Sequence, residues 1–405
     1  MAGTFENPQQ IIRSWGLQGS FASGAVVQDK LVPARFTRIR TPFLQTWREE
    51  ALNSSLDWGV QNFSYYLPES LRVISSMFLK IVLPAISGSS YKANPGLYAV
   101  KTIRFLSAGQ EAYHCDVAQY LRDYLESLSD EHYTPFTKTY LGNQGTATAP
   151  VSNGATRVLL IPILLPNSAY MNRSGFNTRG RGIWPCLTGN NRLEVQITMA
   201  PNTDVCEDAS NLPASISGAC SVLFHQVDMT SDDVLKYSDA RGAYSVISRR
   251  FTEVTNGYQA ATANNKVSLT TNQPIGCVTE LICIAQAQSP VAAHREVEQN
   301  VHPIHFAIIS DSVTQKSLNS KEKVEMELWT NGFVGNSAVN PPARLCFAAH
   351  ASESESMYSG GYNMQLSSQI TVEVTFPSTV DFRIYAVQLQ RISISPLGLV
   401  QASLD

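Results

Sequence analysis

Apolar and polar residues alternate with a period of two along several stretches of the chain. Residues 193–199, 324–328 and 370–376 each place an apolar residue at every second position, with Glu, Gln or Thr between them. Successive side chains of a strand point to opposite faces, so this alternation predicts half-buried antiparallel strands. Residues 77–83 are apolar except for Lys80, which predicts a more deeply buried strand.

Helical patterns are few, and clusters of Gly, Asn, Ser and Pro separate the apolar stretches. The clearest helix begins after Asp116, a capping residue with Gln119 three positions later. Its apolar stripe consists of Val117, Tyr120, Leu121, Tyr124, Leu125 and Leu128. Residues 230–236 predict a second, shorter helix. We therefore expect an all-β protein of sandwiches or barrels, with a few short helical inserts in loops.

The two halves of the chain show similar patterns in the same order. Each half has an apolar strand (residues 78–83 and 280–285) and then a strand that ends in serine (102–107 and 305–310). Each half closes on an alternating strand followed by proline (193–201 and 370–377). Short β patterns also recur by chance, but the shared order favours two similar β domains, with a boundary near residues 211–217.

Charge is sparse in this sequence, which narrows the choice of function. Of the 405 residues, 43% are hydrophobic and 16% are charged, with 30 Lys and Arg against 33 Asp and Glu. Non-specific nucleic-acid binding depends on clustered Lys and Arg, so we expect no specific nucleic-acid partner. Surfaces covered by other subunits are depleted in charge, so the composition favours an assembly protein.

The chain has seven cysteines and no Cys-x-x-Cys pair. Cys277 and Cys283, six residues apart on one strand, are too distant to form a disulfide with each other. Buried, reduced thiols are therefore the simpler interpretation, and they indicate synthesis in the cytoplasm or another reducing compartment. We expect no secretion signal from the first ten residues, and no apolar stretch approaches the roughly 20 residues of a membrane-spanning helix.

Candidate catalytic and metal-binding groups are weak in every case. Glu111 and His114 are three residues apart but precede the predicted helix, and His302 and His305 lie in a predicted strand, where they would point to opposite faces. Asp232-Asp233 is a pair of neighbouring carboxylates that fits a helix start. No nucleophile, phosphate-loop or dinucleotide motif is present. We therefore predict no catalytic, cofactor-binding or metal-binding residues.

The N-terminal segment carries apolar residues that have no evident partner in the predicted sandwiches. These candidate assembly-arm residues are Ile11, Ile12, Trp15, Leu17 and Phe21. One or two helical turns would place several of them on one face, but such a short helix is not stable alone. We expect the arm to dock beneath its own group of subunits or a neighbouring group, with contact to an internal membrane as the second possibility.

Several longer segments carry a recognisable order of elements along the chain. They are residues 101–125, 157–166, 187–199, 266–286, 344–376 and 382–399. In the first half they comprise a strand, a Gly-containing turn and a helix, followed by paired closing strands. In the second half they comprise an Asn-x-Pro turn between strands and the last strands. In order and content these segments resemble the double jelly-roll major capsid proteins of icosahedral double-stranded DNA viruses, particularly those of large eukaryotic viruses.

The resemblance implies two consecutive eight-stranded jelly-roll sandwiches. We divide the chain into an N-terminal arm (1–34), a first jelly roll (35–212) and a second jelly roll (213–405). The implied function is a structural major capsid protein of the virion, which forms homotrimeric, pseudo-hexameric capsomers that tile an icosahedral shell. The implied partners are further copies of the chain in the trimer, neighbouring capsomers, and minor capsid or penton proteins. The alternatives are a carbohydrate-binding or carbohydrate-active β-sandwich, and a viral attachment or penton protein.

Overall fold

A computed structural model describes most of the two predicted β domains. The described residues are 44–68, 73–86, 90–107, 109–128, 130–143, 157–163, 184–185, 187–188, 191–206, 212–228, 244–271, 277–287, 300–331, 340–347, 361–364, 367–394 and 400–404. The predicted helix at residues 230–236 and the predicted arm lie outside them. The arm residues concerned are Ile11, Ile12, Trp15, Leu17 and Phe21.

Two antiparallel sheets form the first sandwich. Its main strands are β1 (Leu44–Ala51), β2 (Phe63–Tyr66), β3 (Val73–Leu83), β4 (Val100–Ser107), β5 (Gln110–Asp116), β6 (Arg157–Ile163), β9 (Asn191–Met199) and β10 (Cys220–Asp228). The short strands β7 (Trp184–Pro185) and β8 (Leu187–Thr188) extend the sheets at β3 and β9. One sheet has the order β1-β10-β3-β6 and the other has the order β2-β9-β4-β5.

The second sandwich is built in the same way. Its main strands are β11 (Tyr244–Glu253), β13 (Lys266–Thr271), β14 (Cys277–Ala287), β15 (His305–Ser310), β16 (Val313–Leu318), β17 (Ala343–Cys346), β19 (Ile370–Thr375) and β20 (Val380–Ile394). Three short strands extend one sheet: β12 (Gln259–Ala261), β18 (Tyr362–Asn363) and β21 (Val400–Leu404). The sheet orders are β11-β20-β14-β17 and β13-β19-β15-β16.

The same topology therefore occurs twice. In each sandwich the first, eighth, third and sixth main strands form one sheet, and the second, seventh, fourth and fifth form the other. Eight strands in two sheets with this order make a jelly roll, which confirms the predicted fold class. We call the two equivalent sheets that contain the first and eighth strands S1 (first sandwich) and S2 (second sandwich).

A hydrophobic core fills the space between the two sheets of each sandwich. Leu79 and Val195 are fully buried in the first core, and Leu281 and Val372 are buried in the second. A strand presents alternate residues to its two faces, so half of its side chains point away from this core. We call that side of each sheet its outer face, and its side chains are available for contacts beyond the sandwich.

The helices lie mainly in the connections between strands. They are α1 (Pro95–Tyr98), α2 (Val117–Ser127), α3 (Asp130–Tyr140) and α4 (Lys321–Thr330), and a short 3₁₀ turn covers Asn202–Val205. The predicted cap of α2 is confirmed, because the Asp116 carboxylate accepts a hydrogen bond from the backbone N–H of Gln119 at 3.2 Å. In both sandwiches a helix follows the fifth main strand: α2 and then α3 in the first, α4 in the second.

The strand predicted at residues 324–328 is wrong, because this stretch belongs to α4. Val324 and Leu328 are four residues apart, so a helix places both on its buried side, whereas Met326 is exposed. A stretch of only five alternating residues fits both the period of two of a strand and the period of 3.6 of a helix. The local decision comes from Ser320, whose hydroxyl accepts a hydrogen bond from the backbone N–H of Lys323 at 3.3 Å and caps the helix.

The division between the sandwiches follows from the position of β10. This strand lies between β1 and β3 in S1, with Val222 opposite Glu50 on one side and Leu79 on the other. Residues 220–228 therefore belong to the first sandwich, although the predicted boundary at residues 212 and 213 assigned them to the second. The eighth strand returns beside the first and third strands in a jelly roll, and the strand alternation alone does not specify that pairing.

Candidate assembly surfaces and the interface between the sandwiches

The outer face of S2 is buried against the first sandwich. Apolar side chains from β11, β14 and β20 join the core cluster of the first sandwich rather than that of the second. These side chains are Phe251, Ile282, Ile284, Tyr385 and Val387. Helix α2 provides much of the covering surface, and the rings of Tyr120 and Phe251 meet edge to face with centroids 4.7 Å apart. The two jelly rolls therefore share an apolar interface.

A buried ionic cluster lies within this interface. The Arg344 guanidinium on β17 donates hydrogen bonds to Asp123 at 2.9 Å and to Glu126 at 2.6 Å, both on α2 of the first sandwich. Its other terminal nitrogen donates to Glu280 on β14 at 2.9 Å. The Arg344 and Glu280 side chains are 1% and 0% exposed, so the cluster is closed to solvent. Arg344 thus joins the two sandwiches through oriented contacts.

Burial and charge act in opposite directions within this cluster. Burial raises the pKa of the Glu126 carboxyl, although the neighbouring Arg344 opposes the shift. The pKa of Arg344 is raised well above its usual value, because attraction to Glu280, Glu126 and Asp123 outweighs the effect of its burial. Removing these ions from water costs about as much free energy as their mutual attraction returns, so we expect the cluster to specify how the sandwiches meet more than it adds net stability.

The ionic cluster was not predicted from the sequence. Glu280 and Arg344 each interrupt an otherwise apolar strand segment, which is a signal for a buried charge that must have a partner. The partner could not be identified from that signal. Asp123 and Glu126 lie on a helix more than 150 residues away in the sequence, and only the packing of the two sandwiches brings them to Arg344.

The outer face of S1 has a different character. We call it the open face and define it by Trp47, Val158, Leu160 and His225. Phe78 lies beside them but is buried, and its ring stacks on Tyr140 of α3 with centroids 5.6 Å apart. Trp47 is 57% exposed, and its ring lies 4.7 Å from the His225 ring and 5.9 Å from the Phe78 ring. Val158 is also exposed. An aromatic and aliphatic surface of this kind, with a large side chain left in solvent, is typical of an interaction site.

A second apolar surface lies on the second sandwich. Among the described residues of this sandwich, the exposed large apolar side chains all fall between residues 313 and 330, in β16 and α4. Val313, Met326 and Trp329 are 60%, 65% and 69% exposed, respectively. Met326 and Trp329 are three residues apart on the helix and therefore share a side. We call these three residues the helix patch.

The structure brings Glu111 and His114 together, but with cations around them. A bulge in β5 at this point shifts the register against β4 and places the two side chains 4.0 Å apart. Arg104 lies 3.6 Å from the Glu111 carboxylate, and Arg250 of the second sandwich lies 4.0 Å from it. Burial lowers the pKa of His114. Two arginines at one carboxylate indicate an ionic contact between the sandwiches rather than a metal site.

The other candidate groups are structural or lie outside the described residues. His302 Nε2 lies 2.9 Å from the Pro341 carbonyl, and His305 Nε2 lies 3.5 Å from Glu373 in the neighbouring strand. The pair Asp232-Asp233 is outside the described residues. Within the part of the chain that the structure describes, no cluster of His, Cys, Asp or Glu has the geometry of a metal site, and no helix is long and apolar enough to cross a membrane.

Comparison with known proteins shows which fold this arrangement matches. No family model and no curated protein matches the chain. Among solved structures it is similar to a chain of the PBCV-1 virus capsid (13% identity, TM-score 0.63, 90% of this chain and 97% of that one). It is also similar to the Faustovirus major capsid protein (10% identity, TM-score 0.63, covering 87% and 91%) and to the mavirus major capsid protein (10%, 0.51, 96% and 94%). The chain therefore has the double jelly-roll fold of these viral capsid proteins.

Proposed function

We propose that this chain is a structural major capsid protein, and that three copies form a pseudo-hexameric capsomer that tiles an icosahedral shell. The observation that carries the proposal is the repeated strand order, which gives each chain two equivalent building blocks, joined through the Arg344 cluster. Three such chains supply six similar blocks, enough for a ring with near-sixfold symmetry. The similarity to solved capsid proteins over nearly the whole chain supports the same conclusion.

The proposed role is structural, without catalysis or a cofactor. The clusters that resemble chemical sites are accounted for by ionic contacts: Glu111 and His114 lie beside two arginines, and the Arg344 cluster is closed to solvent. Neighbouring capsomers and minor capsid or penton proteins are the proposed partners in the virion. Five cysteines are buried as free thiols, namely Cys115, Cys206, Cys220, Cys283 and Cys346, which supports synthesis in a reducing compartment.

The N-terminal arm remains part of the proposal. Its apolar residues Ile11, Ile12, Trp15, Leu17 and Phe21 would join capsomers to one another or contact an internal membrane. Removal of residues 1–24 should spare the trimer and lower the yield of assembled shells, because both sandwiches begin after this segment. Normal shells from the truncated protein would contradict the role of the arm.

The capsomer itself can be tested with purified protein. Light scattering should give three times the chain mass of 44.4 kDa, and negative-stain images should show particles with a hexagonal outline. We expect the trimer to persist in about 0.5 M salt, because screening affects exposed ion pairs far more than apolar burial. A monomer at every concentration that binds a glycan on an array would instead favour the carbohydrate-binding alternative.

A further inference from the structure

The interface within one chain joins two specific surfaces. The fifth strand of the first sandwich, β5, and the helix that follows it, α2, lie against the outer face of S2, where β5 also approaches β11. Each jelly roll has both surfaces, because the strand order is the same in the two sandwiches. One copy of each surface is used inside the chain, and one copy of each remains.

Of the seven exposed large apolar side chains in the described part of the chain, five lie on the two remaining surfaces, and the other two are Tyr66 and Leu212. The fifth strand of the second sandwich, β16, and the helix that follows it, α4, carry the helix patch of Val313, Met326 and Trp329. The outer face of S1 carries Trp47 and Val158. These are the counterparts of the β5–α2 surface and of the outer face of S2, which cover each other within the chain.

We propose that the helix patch of one copy packs on the open face of a second copy, so that the contact between sandwiches within a chain is repeated between chains. This inference rests on the proposed trimer and names the surfaces that hold it together. The contact is head to tail, so it closes into a ring when the rotation between sandwiches is about one sixth of a turn. Three copies then give six sandwiches and six similar contacts.

The chemistry of the two surfaces fits this pairing. Trp47 and Trp329 are large aromatic side chains that gain most from burial in an interface, and residues of this type dominate binding energy. Among the described residues of the open face, Lys80 pairs with Glu49 at 2.8 Å within its own sheet and needs no partner from another copy. The contact between chains is therefore mainly apolar, whereas the contact within the chain contains the Arg344 cluster.

Charge placed at either surface should dissociate the trimer. We would compare Trp47→Lys and the double variant Met326→Lys/Trp329→Lys with wild type by light scattering at one protein concentration, and we expect a fall from three chains to one. Tyr66→Lys is the matched control. Tyr66 is 55% exposed on β2, which belongs to the opposite sheet of the first sandwich, and its variant should remain a trimer.

Cross-linking gives a second readout that does not depend on dissociation. Co-expressed chains with Trp47→Cys and with Trp329→Cys should be joined by a short bifunctional maleimide, whereas either variant alone should give only the background of wild type. Three results would overturn this assignment. The trimer could persist in all the lysine variants, Tyr66→Lys could dissociate it as fully as the others do, or the mixture could give no cross-link beyond those of the single variants. A monomeric wild type would instead contradict the proposed capsomer.

Discussion

The outer faces of S1 and S2 are built from equivalent strands, but they differ in what covers them. The S2 face is buried by the first sandwich and contains a charged cluster around Arg344. The S1 face retains an exposed Trp47 and an ion pair that lies at its surface, Lys80 with Glu49. Equal topology therefore does not lead to equal surface chemistry, even within a single chain.

The difference in chemistry follows from whether a surface meets its partner within one chain or between separate chains. Within one chain the two sandwiches are always close, so the cost of removing charges from water can be offset by several oriented hydrogen bonds that select one arrangement. Between separate chains, association also costs translational and rotational freedom, and large aromatic side chains are the more effective contribution per residue. The buried cluster is suited to orientation, and the open face is suited to association.

Substitution of Arg344 on the outer face of S2 should have the largest effect on stability. We expect Arg344→Met to lower the free energy of unfolding by about 3–5 kcal/mol, because Asp123, Glu126 and Glu280 would remain buried without their cation. Urea unfolding of the protein, after dissociation of the trimer into single chains, would measure this loss of stability. The control is Arg48→Met on β1 of S1, whose pair with Glu50 is partly exposed and should contribute about 0–1 kcal/mol. Equal losses would contradict a special role for the buried cluster.

Gly142 provides a test of how firmly the helical insert of the first sandwich is held. Gly142 connects α3 to the strands of the first sandwich with a positive φ of 75°, and a Cβ there would collide with Leu159 on β6. Gly59 has a similar φ of 72° but open space around it. Both Ala variants carry the cost of a left-handed backbone, about 1–2 kcal/mol. We expect Gly142→Ala to lower the free energy of unfolding by about 1–3 kcal/mol more than Gly59→Ala does, because of overpacking against Leu159.

Thermal or urea unfolding of the two glycine variants measures this difference directly. The shared backbone cost cancels, so the remainder reports how tightly the loop after α3 is held on the first core. An equal loss in the two variants would show that Leu159 moves aside at little cost. The insert of the first sandwich would then be no more firmly fixed than an open turn.

Much of the repeat was predictable from the sequence. The segments matched between the halves prove to be equivalent strands: β3 with β14, β4 with β15 and β9 with β19, the third, fourth and seventh of each jelly roll. These strands lie at the centre of their sheets, where burial on one or both faces imposes a strong apolar pattern. Pattern and burial therefore agree where the strand has most neighbours.

The remainder depends on contacts that are distant in the sequence. The pairing of β10 with β1 and β3 and the approach of α2 to Arg344 each require the assembled fold. The helix at residues 324–328, by contrast, depends on the local cap at Ser320. Local alternation is ambiguous over five residues, and it does not state which strand lies beside which. Both surfaces in the proposed trimer contact belong to this class, because exposure is decided only when the sandwiches have packed.

The smallest expected effect concerns the proton on Glu126. Asp123 and Arg122 lie near it on α2, and Arg344 faces it from β17. Glu280 on β14 binds the other terminal nitrogen of Arg344. Its pKa is raised mainly by burial, so the folded state binds a proton more readily than the unfolded chain. The stability gained from this proton is present below the ordinary glutamate pKa of about 4.5 and is lost as the pH rises through the higher value of the folded state.

Glu126→Gln keeps the shape of the protonated carboxyl and removes its titration. The difference in unfolding free energy, variant minus wild type, should therefore increase as the pH rises above about 4.5 and then become constant. Asp311→Asn on the second sandwich provides the opposite sign: hydrogen bonds from Ser368 and Gln369 lower the Asp311 pKa, so wild type loses its advantage as the pH falls. Urea unfolding across a pH series measures both. A flat difference for Glu126→Gln would show that this carboxyl stays charged in the buried cluster, and that the covered face carries its negative charge at neutral pH.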